Sequence, residues 1–190
     1  FDQRVPAWNK GWPKAGFHAP FDLAGLEDRP GEYLTDRLTE EAERFLDANR
    51  ERPFFLYLSH FAVHDPLQAR DDWVAHFEQK KARLPASKEP SFWLEGNPDD
   101  PGFPGRAEAA EWLSRPAWSG YQLLPQRTVK IKQQQDNPVF AAMVASMDES
   151  LGRIRAKLDA LGLTENTILV FFSDNGGMSA ANFGRPGRVI

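Results

Sequence analysis

An α/β layered fold, a mostly parallel sheet flanked by helices, is predicted by three observations. A helix-length amphipathic stretch followed closely by a short apolar run occurs twice, at residues 35–58 and 138–172. The runs themselves, Phe54–Leu58 and Thr167–Phe172, are almost purely apolar or β-branched, the character of strands covered on both faces. Each run then ends in a loop bearing polar, chemically capable side chains, at the carboxyl edge where open α/β sheets bind ligands. Two helix-to-strand units with buried strands require helices layered on a sheet.

Taken in order, residues 1–33 are rich in Pro, Gly and aromatics (Trp8, Trp12, Phe17, Phe21, Tyr33) and read as irregular chain packed onto a larger body. A helix is predicted from Thr35 to about Arg50, with Leu34, Leu38, Ala42, Phe45 and Leu46 on one stripe and charged residues between them. Pro53 stops it ahead of the first strand. Residues 68–137 are the least regular part. A short helix fits Asp72–Lys81, after which Pro85, Pro90, Pro98, Pro101, Pro104, Pro116 and Pro125 punctuate the chain. So long a connection predicts an insertion within a single domain spanning 1–190. Its Trp93, Trp112 and Trp118 and the run Glu95–Asp100 suit either a rim around a polar ligand or anchors holding the loop to the surface. A long helix follows from Pro138, suited to a first helical position, to Leu161, with Phe140, Met143, Val144, Met147, Leu151, Ile154, Leu158 and Leu161 as its apolar stripe. Gly162 is placed as its C′ residue.

Bulk properties exclude some functions. A net charge of −4 gives no basic face to neutralise phosphates, so nucleic acid is not an expected partner. No apolar run approaches the ~20 residues that span a bilayer, so no membrane span is expected. Cysteine is absent, which removes disulfides, thiolate metal sites and a cysteine nucleophile from these residues. Nothing at the start of these residues resembles a signal peptide, and a chain starting at Phe1 and stopping at Val189-Ile190 reads as an internal fragment, incomplete at both ends.

The chemistry lies at the two strand ends. The second delivers Ser173-Asp174-Asn175-Gly176-Gly177. Asp174 and Asn175 are hard oxygen donors for a divalent cation such as Ca²⁺ or Mg²⁺, although Asn-Gly also occurs in turns for conformational reasons alone. The first strand leads into Ser59-His60-Phe61-Ala62-Val63-His64-Asp65-Pro66-Leu67. His60 and His64 are spaced as zinc ligands on one helix face, but Pro66 opposes a continuing helix there. A histidine at a strand end serves as hydrogen-bond or proton donor to a bound anion, the role expected for His64, while His60 reads as a histidine satisfied by loop backbone.

The segment FFLYLSHFAVHDPLQ (54–68), with GEYLTDRL (31–38) and the NPVFAAMVASMDESLGRI helix and SDNGG strand end within 137–177, resembles the arylsulfatase family, the formylglycine-dependent branch of the alkaline-phosphatase-like superfamily. The segments occur in the family's order and cover most of the chain outside the insertion. The resemblance implies a partial alkaline-phosphatase-like fold and a parent enzyme that hydrolyses sulfate esters of carbohydrates or aryl alcohols. It implies Asp174 and Asn175 as ligands of one Ca²⁺, and His64 as the catalytic histidine that contacts the sulfate ester and helps the leaving group depart. His60 would line the substrate pocket with it. Asp148, in the family-like SMDES stretch, reads as a structural polar residue. A periplasmic or extracellular parent follows from family habit.

The rest of the family's site is not found here. Its nucleophile is a formylglycine made from Cys or Ser in a C/S-x-P-x-R motif. Ser59, Ser87, Ser91, Ser114 and Ser119 lack that context, and Ser114-Arg115-Pro116 does not match it. The N-terminal acidic pair and the lysine beyond SDNGG are missing too, so the chain by itself is expected to be catalytically inert, to bind calcium weakly and to be marginally folded. Two alternatives share the scaffold: a phosphodiesterase or phosphonate hydrolase of the same superfamily, or a non-catalytic carbohydrate-binding relative using the Trp-rich insertion.

Overall fold

The computed structural model describes residues 16–21, 26–27, 29–64, 66–85, 87, 92–96, 107, 128–132, 134–177 and 180–182. The chain divides into two compact units, residues 1–83 with 138–172 and residues 84–137 with 173–190, and each is described by itself.

The first unit is built on helices α1 (Leu34–Asn49), α2 (Asp71–Ala82) and α3 (Pro138–Ala160), within a residue or two of the expected bounds. α1 and α2 both pack on α3. Side chains pair across α1 and α3 in ascending order on both: Thr39 with Ser150, Glu43 with Arg153, Asp47 with Lys157. The two helices therefore run parallel, as successive crossover helices on one face of a parallel sheet do.

Two apolar clusters form the core. One gathers Phe17, Phe21, Tyr33, Leu34 and Leu38 with Ala142 and Met143, so the irregular N-terminal chain does pack into the body. Trp8 and Trp12 lie outside the described residues. The other joins Ala42 and Leu46 to Ile154 and Leu158. The stripe expected on α1 is buried, with Phe45 half-buried at its edge. On α3 the buried face is rotated from the expected one. Ala142, Ser146 and Ser150 are buried at four-residue spacing beside Met143, Ile154 and Leu158, whereas Val144 is 46% exposed. Small side chains bring the backbones of α1 and α3 close, and hydroxyls satisfied within the seam replace apolar bulk. Thr39 Oγ1 lies 2.7 Å from the Thr35 carbonyl, and the Ser146 hydroxyl donates to the Ala142 carbonyl at 3.1 Å. α3 ends as expected. Gly162 adopts φ +68°, its N–H donates to the Asp159 carbonyl, and the Leu163 N–H donates to the Leu158 carbonyl, the paired bonds of a Schellman motif.

Arg70, at the start of α2, ties the three helices together. Its guanidinium reaches Asp36 at 3.3 Å, Asp72 at 2.6 Å and Glu149 at 2.9 Å, and the Trp73 indole N–H donates to Glu149 at 3.1 Å. The Asp72 hydrogen bond raises the Arg70 pKa above its already high value. Burial raises Asp36, with Arg70 opposing and Glu149 reinforcing. Asp148 is exposed, so the structural polar role expected at that position belongs to its neighbour Glu149. Acidic Asp71 and Asp72 open α2 and Lys80 and Lys81 close it, each complementing the helix dipole.

Both expected strands depart from the sequence reading. Residues 53–61 and 167–173 form no strand ladder. The first keeps a period of two in its burial: Phe54, Leu56 and Leu58 pack on the second cluster, while Phe55 and Tyr57 stand 83% and 80% exposed. The second leaves Ile168, Val170 and Phe172 exposed, Ile168 at 93%. A ladder needs a hydrogen-bonded neighbour, and among the described residues neither run has one.

The second unit holds the one sheet among the described residues, in the order β1 (Phe92–Gly96), β2 (Thr128–Lys132), β3 (Ala180–Asn182), and it is antiparallel throughout. Phe92 pairs with Lys132 and Val129 with Asn182. Trp93 sits in β1, whereas Trp112, Trp118 and residues 97–100 lie outside the described residues.

The rotated face of α3 has a direct test. Ser146→Leu is expected to cost about 1–3 kcal/mol of unfolding free energy by overpacking the seam, and Val144→Leu less than about 0.5 kcal/mol. Denaturant midpoints of the two variants check the difference, and the reverse order would restore the apolar stripe as first expected.

Candidate active site

The loop from His60 to Ala69 leaves the half-buried run 54–58 and enters α2. His64 is exposed on it, and its backbone N–H donates to the Phe61 carbonyl at 3.1 Å, closing a turn. The Ala62–Val63 peptide is cis. Asp65 lies outside the described residues.

The loop is fixed at both ends. At its start, His60 Nε2 lies 3.0 Å from Ser150 Oγ on α3, which in turn lies 2.6 Å from Thr39 Oγ1 on α1. His60 Nδ1 is buried with no hydrogen-bond partner among the described residues. Burial drives the His60 pKa down to about 4, so the ring is neutral at physiological pH. At the far end, Gln68 Oε1 accepts the Phe17 N–H at 2.6 Å, the Gln68 carbonyl accepts the Tyr33 hydroxyl at 2.9 Å, and His18 Nε2 lies 3.2 Å from the Ala69 carbonyl. Burial pushes the Tyr33 phenol up to about 12, which keeps it a donor. Gly16, against which the Gln68 side-chain amide lies, adopts φ +88°, a conformation that favours glycine.

Asp174 and Asn175 belong to the other unit, and both are exposed. The Asn175 N–H donates to Asp174 Oδ1 at 2.9 Å, and the Ser173 hydroxyl donates to the Asn175 carbonyl at 2.5 Å, so this stretch is a bend with its polar atoms paired locally, and Gly176 does not take the positive φ that an Asn-Gly hairpin turn uses. Among the described residues no group of three or more His, Asp or Glu could hold a metal ion. A carboxylate beside a carboxamide is the donor chemistry Ca²⁺ takes, and these two residues fit it as part of a set, since the ion prefers six to eight oxygens.

Sequence reasoning missed Thr39 and Ser150, and named Gln68 only as the end of a motif. A signal was present. Thr35 and Thr39 on α1, and Ser146 and Ser150 on α3, each recur at a four-residue spacing inside otherwise apolar stripes, where a hydroxyl must find a partner.

Comparison with known proteins places the chain. The family model described as Sulfatase matches residues 3–188, and the chain belongs to that family. It is 34% identical over 167 residues to an arylsulfatase of Klebsiella aerogenes, an alignment covering 80% of this chain and 32% of that protein. It is 31% identical over 157 residues to the steryl-sulfatase of Mus musculus, covering 82% of this chain and 16% of that one. It is also 49% identical over 47 residues to an ulvan-active sulfatase of Formosa agariphila, covering 25% of this chain and 9% of that protein. The chain thus spans about a third or less of the length of these relatives. Family membership carries the alkaline-phosphatase-like α/β fold with it. Among the described residues, no helix is long and apolar enough to cross a membrane.

His60 makes stability depend on pH in a stated direction. The ring is neutral in the folded state down to about pH 4, whereas the unfolded ring takes up a proton below its ordinary 6.5. Stability from this residue is complete above about pH 6.5 and is lost as pH falls toward 4, a total on the order of 3 kcal/mol. Urea midpoints from pH 7 to 4 should therefore fall less steeply in His60→Gln than in the parent sequence, and superimposable pH profiles would contradict a buried neutral imidazole.

Proposed function

We propose that the protein carrying this chain hydrolyses sulfate esters, with His64 as the acid that protonates the departing oxygen. The observation that carries this reading is the presentation of His64, an exposed imidazole on a loop secured at both ends, in a chain of the sulfatase family. Cleaving the S–O bond leaves an alkoxide or phenoxide. A positioned imidazolium that gives its ring proton to that oxygen speeds such a step by about 10²–10⁴. Asp174 and Asn175 are proposed as two ligands of one Ca²⁺, whose charge would hold and polarise the sulfate oxygens when bound. The remaining ligands and the formylglycine nucleophile are proposed to lie outside these 190 residues, which leaves the chain by itself inactive.

The substrate class proposed is a sulfated carbohydrate or aryl sulfate. The relatives named arylsulfatase and ulvan-active sulfatase support both members of that class. The fold proposal follows the same line. Residues 54–58 and 167–172 become neighbouring strands of a mostly parallel sheet once the rest of the catalytic domain covers their exposed faces, and parallel α1 and α3 support this. We retain residues 68–137 as an insertion within one catalytic domain, opening on α2, and place the protein in the periplasm or outside the cell by family habit.

In the full-length protein, His64→Ala is expected to lower kcat for 4-nitrophenyl sulfate by about 10²–10⁴ with the melting temperature unchanged. Asp174→Asn is expected to raise the calcium concentration needed for half-maximal activity. Undiminished turnover in His64→Ala would remove this residue from the reaction, and turnover by residues 1–190 alone would refute the divided site.

A further inference from the structure

The geometry points to His60 as a positioning residue for His64: its ring, locked in one tautomer by hydroxyls from α3 and α1, fixes the entry of the loop that presents the acid. This rests on the reading of His64 above and adds a residue that acts through it. His60 and His64 bracket the turn closed by the His64 N–H on the Phe61 carbonyl, so whatever holds residue 60 sets where that turn begins.

Counting protons assigns the tautomer. Thr39 Oγ1 lies 2.7 Å from the Thr35 carbonyl, which can only accept, so the single Thr39 proton is committed there. In the 2.6 Å contact between Thr39 and Ser150, the proton must then come from Ser150. With its proton spent, Ser150 Oγ can only accept in the 3.0 Å contact with His60, so Nε2 carries the imidazole hydrogen. Nδ1 is left as a bare lone pair, which agrees with its lack of a partner among the described residues. The chain of bonds therefore runs from His60 through Ser150 and Thr39 to the Thr35 carbonyl, in one direction. Its two anchors sit on parallel helices whose register is set independently by Arg153 with Glu43 and Lys157 with Asp47. The opposite end of the loop is held by Gln68 and Tyr33, so the ring at residue 60 supplies the second fixed point.

The experiment compares Ser150→Ala, Ser150→Thr and Thr39→Val with the parent sequence in the full-length, calcium-loaded protein, by turnover of 4-nitrophenyl sulfate and by histidine-imidazole ¹⁵N NMR. Ser150→Ala should lower kcat about tenfold with KM within about twofold, since a misplaced acid costs rate more than binding. Ser150→Thr, which keeps the hydroxyl, should recover most of that loss. The His64 ring signals should shift or broaden in Ser150→Ala and return in Ser150→Thr, a readout that needs no turnover. Thr39→Val removes the acceptor for the Ser150 proton, so Ser150 turns its proton to Nε2 and the His60 spectrum should switch to the Nδ1–H tautomer. Identical His64 signals in all four proteins would overturn the positioning role, and an unswitched His60 tautomer in Thr39→Val would overturn the directed chain. If the parent sequence fails to hydrolyse the ester while the His64 signals still follow the Ser150 hydroxyl, the sulfatase reading fails and the positioning role stands.

Discussion

The seam between α1 and α3 is the constraint on which the first unit depends. Two parallel helices meet there through small and hydroxylated side chains, and the buried Thr39–Ser150 contact commits both backbones to one separation and one register. A purely apolar seam could slide by a turn at modest cost. A buried hydroxyl pair cannot, because a slip leaves polar atoms unpaired at about 1–3 kcal/mol each. The apolar cluster around Leu46, Ile154 and Leu158 supplies the area, and the hydroxyls supply the address.

The charged pairs around the seam repeat the same register at lower stakes. Arg153 with Glu43 is bidentate and half-buried, and Lys157 with Asp47 is more open, so each contributes little stability alone. Arg70 does more, because three carboxylates on three helices converge on one planar cation that can serve several at once. It sits where the His64 loop becomes α2. The loop is thus suspended between two parts of one helical frame, with a neutral imidazole at one end and a guanidinium just past the other.

Much of this frame was legible in the sequence. The helices announced themselves by periodicity, Pro138 and Gly162 marked the ends of the longest, and the motif around His64 proved to be a surface loop. Three features were not legible, for separable reasons. Periodicity put Val144 in the core because it counts apolar residues, whereas helices that approach closely bury alanine and serine. The segments at 54–58 and 167–172 carry strand composition, but a strand is a property of a pair, and a single sequence does not show the partner. β1 and β2 were unmarked because their pairing joins residues 92–96 to 128–132 across the whole of residues 97–127, too long a connection for a hairpin turn of about two to five residues to signal it. Of the site, the reactive imidazole was visible as a motif, while the hydroxyls behind His60 come from two other helices and meet only in three dimensions.

The uncovered run Ile168–Phe172 has a consequence beyond architecture. An uncharged, proline-free, β-prone window of this kind is what self-associating segments share, and these residues present it to water. Its only nearby brakes are Glu165 before it and Asp174 after it, placed as charged gatekeepers at the two ends. If Asp174 binds calcium, the ion would neutralise the downstream gatekeeper. On the proposed reading, the same carboxylate would serve solubility while the run lies open and metal binding once the proposed sheet covers it.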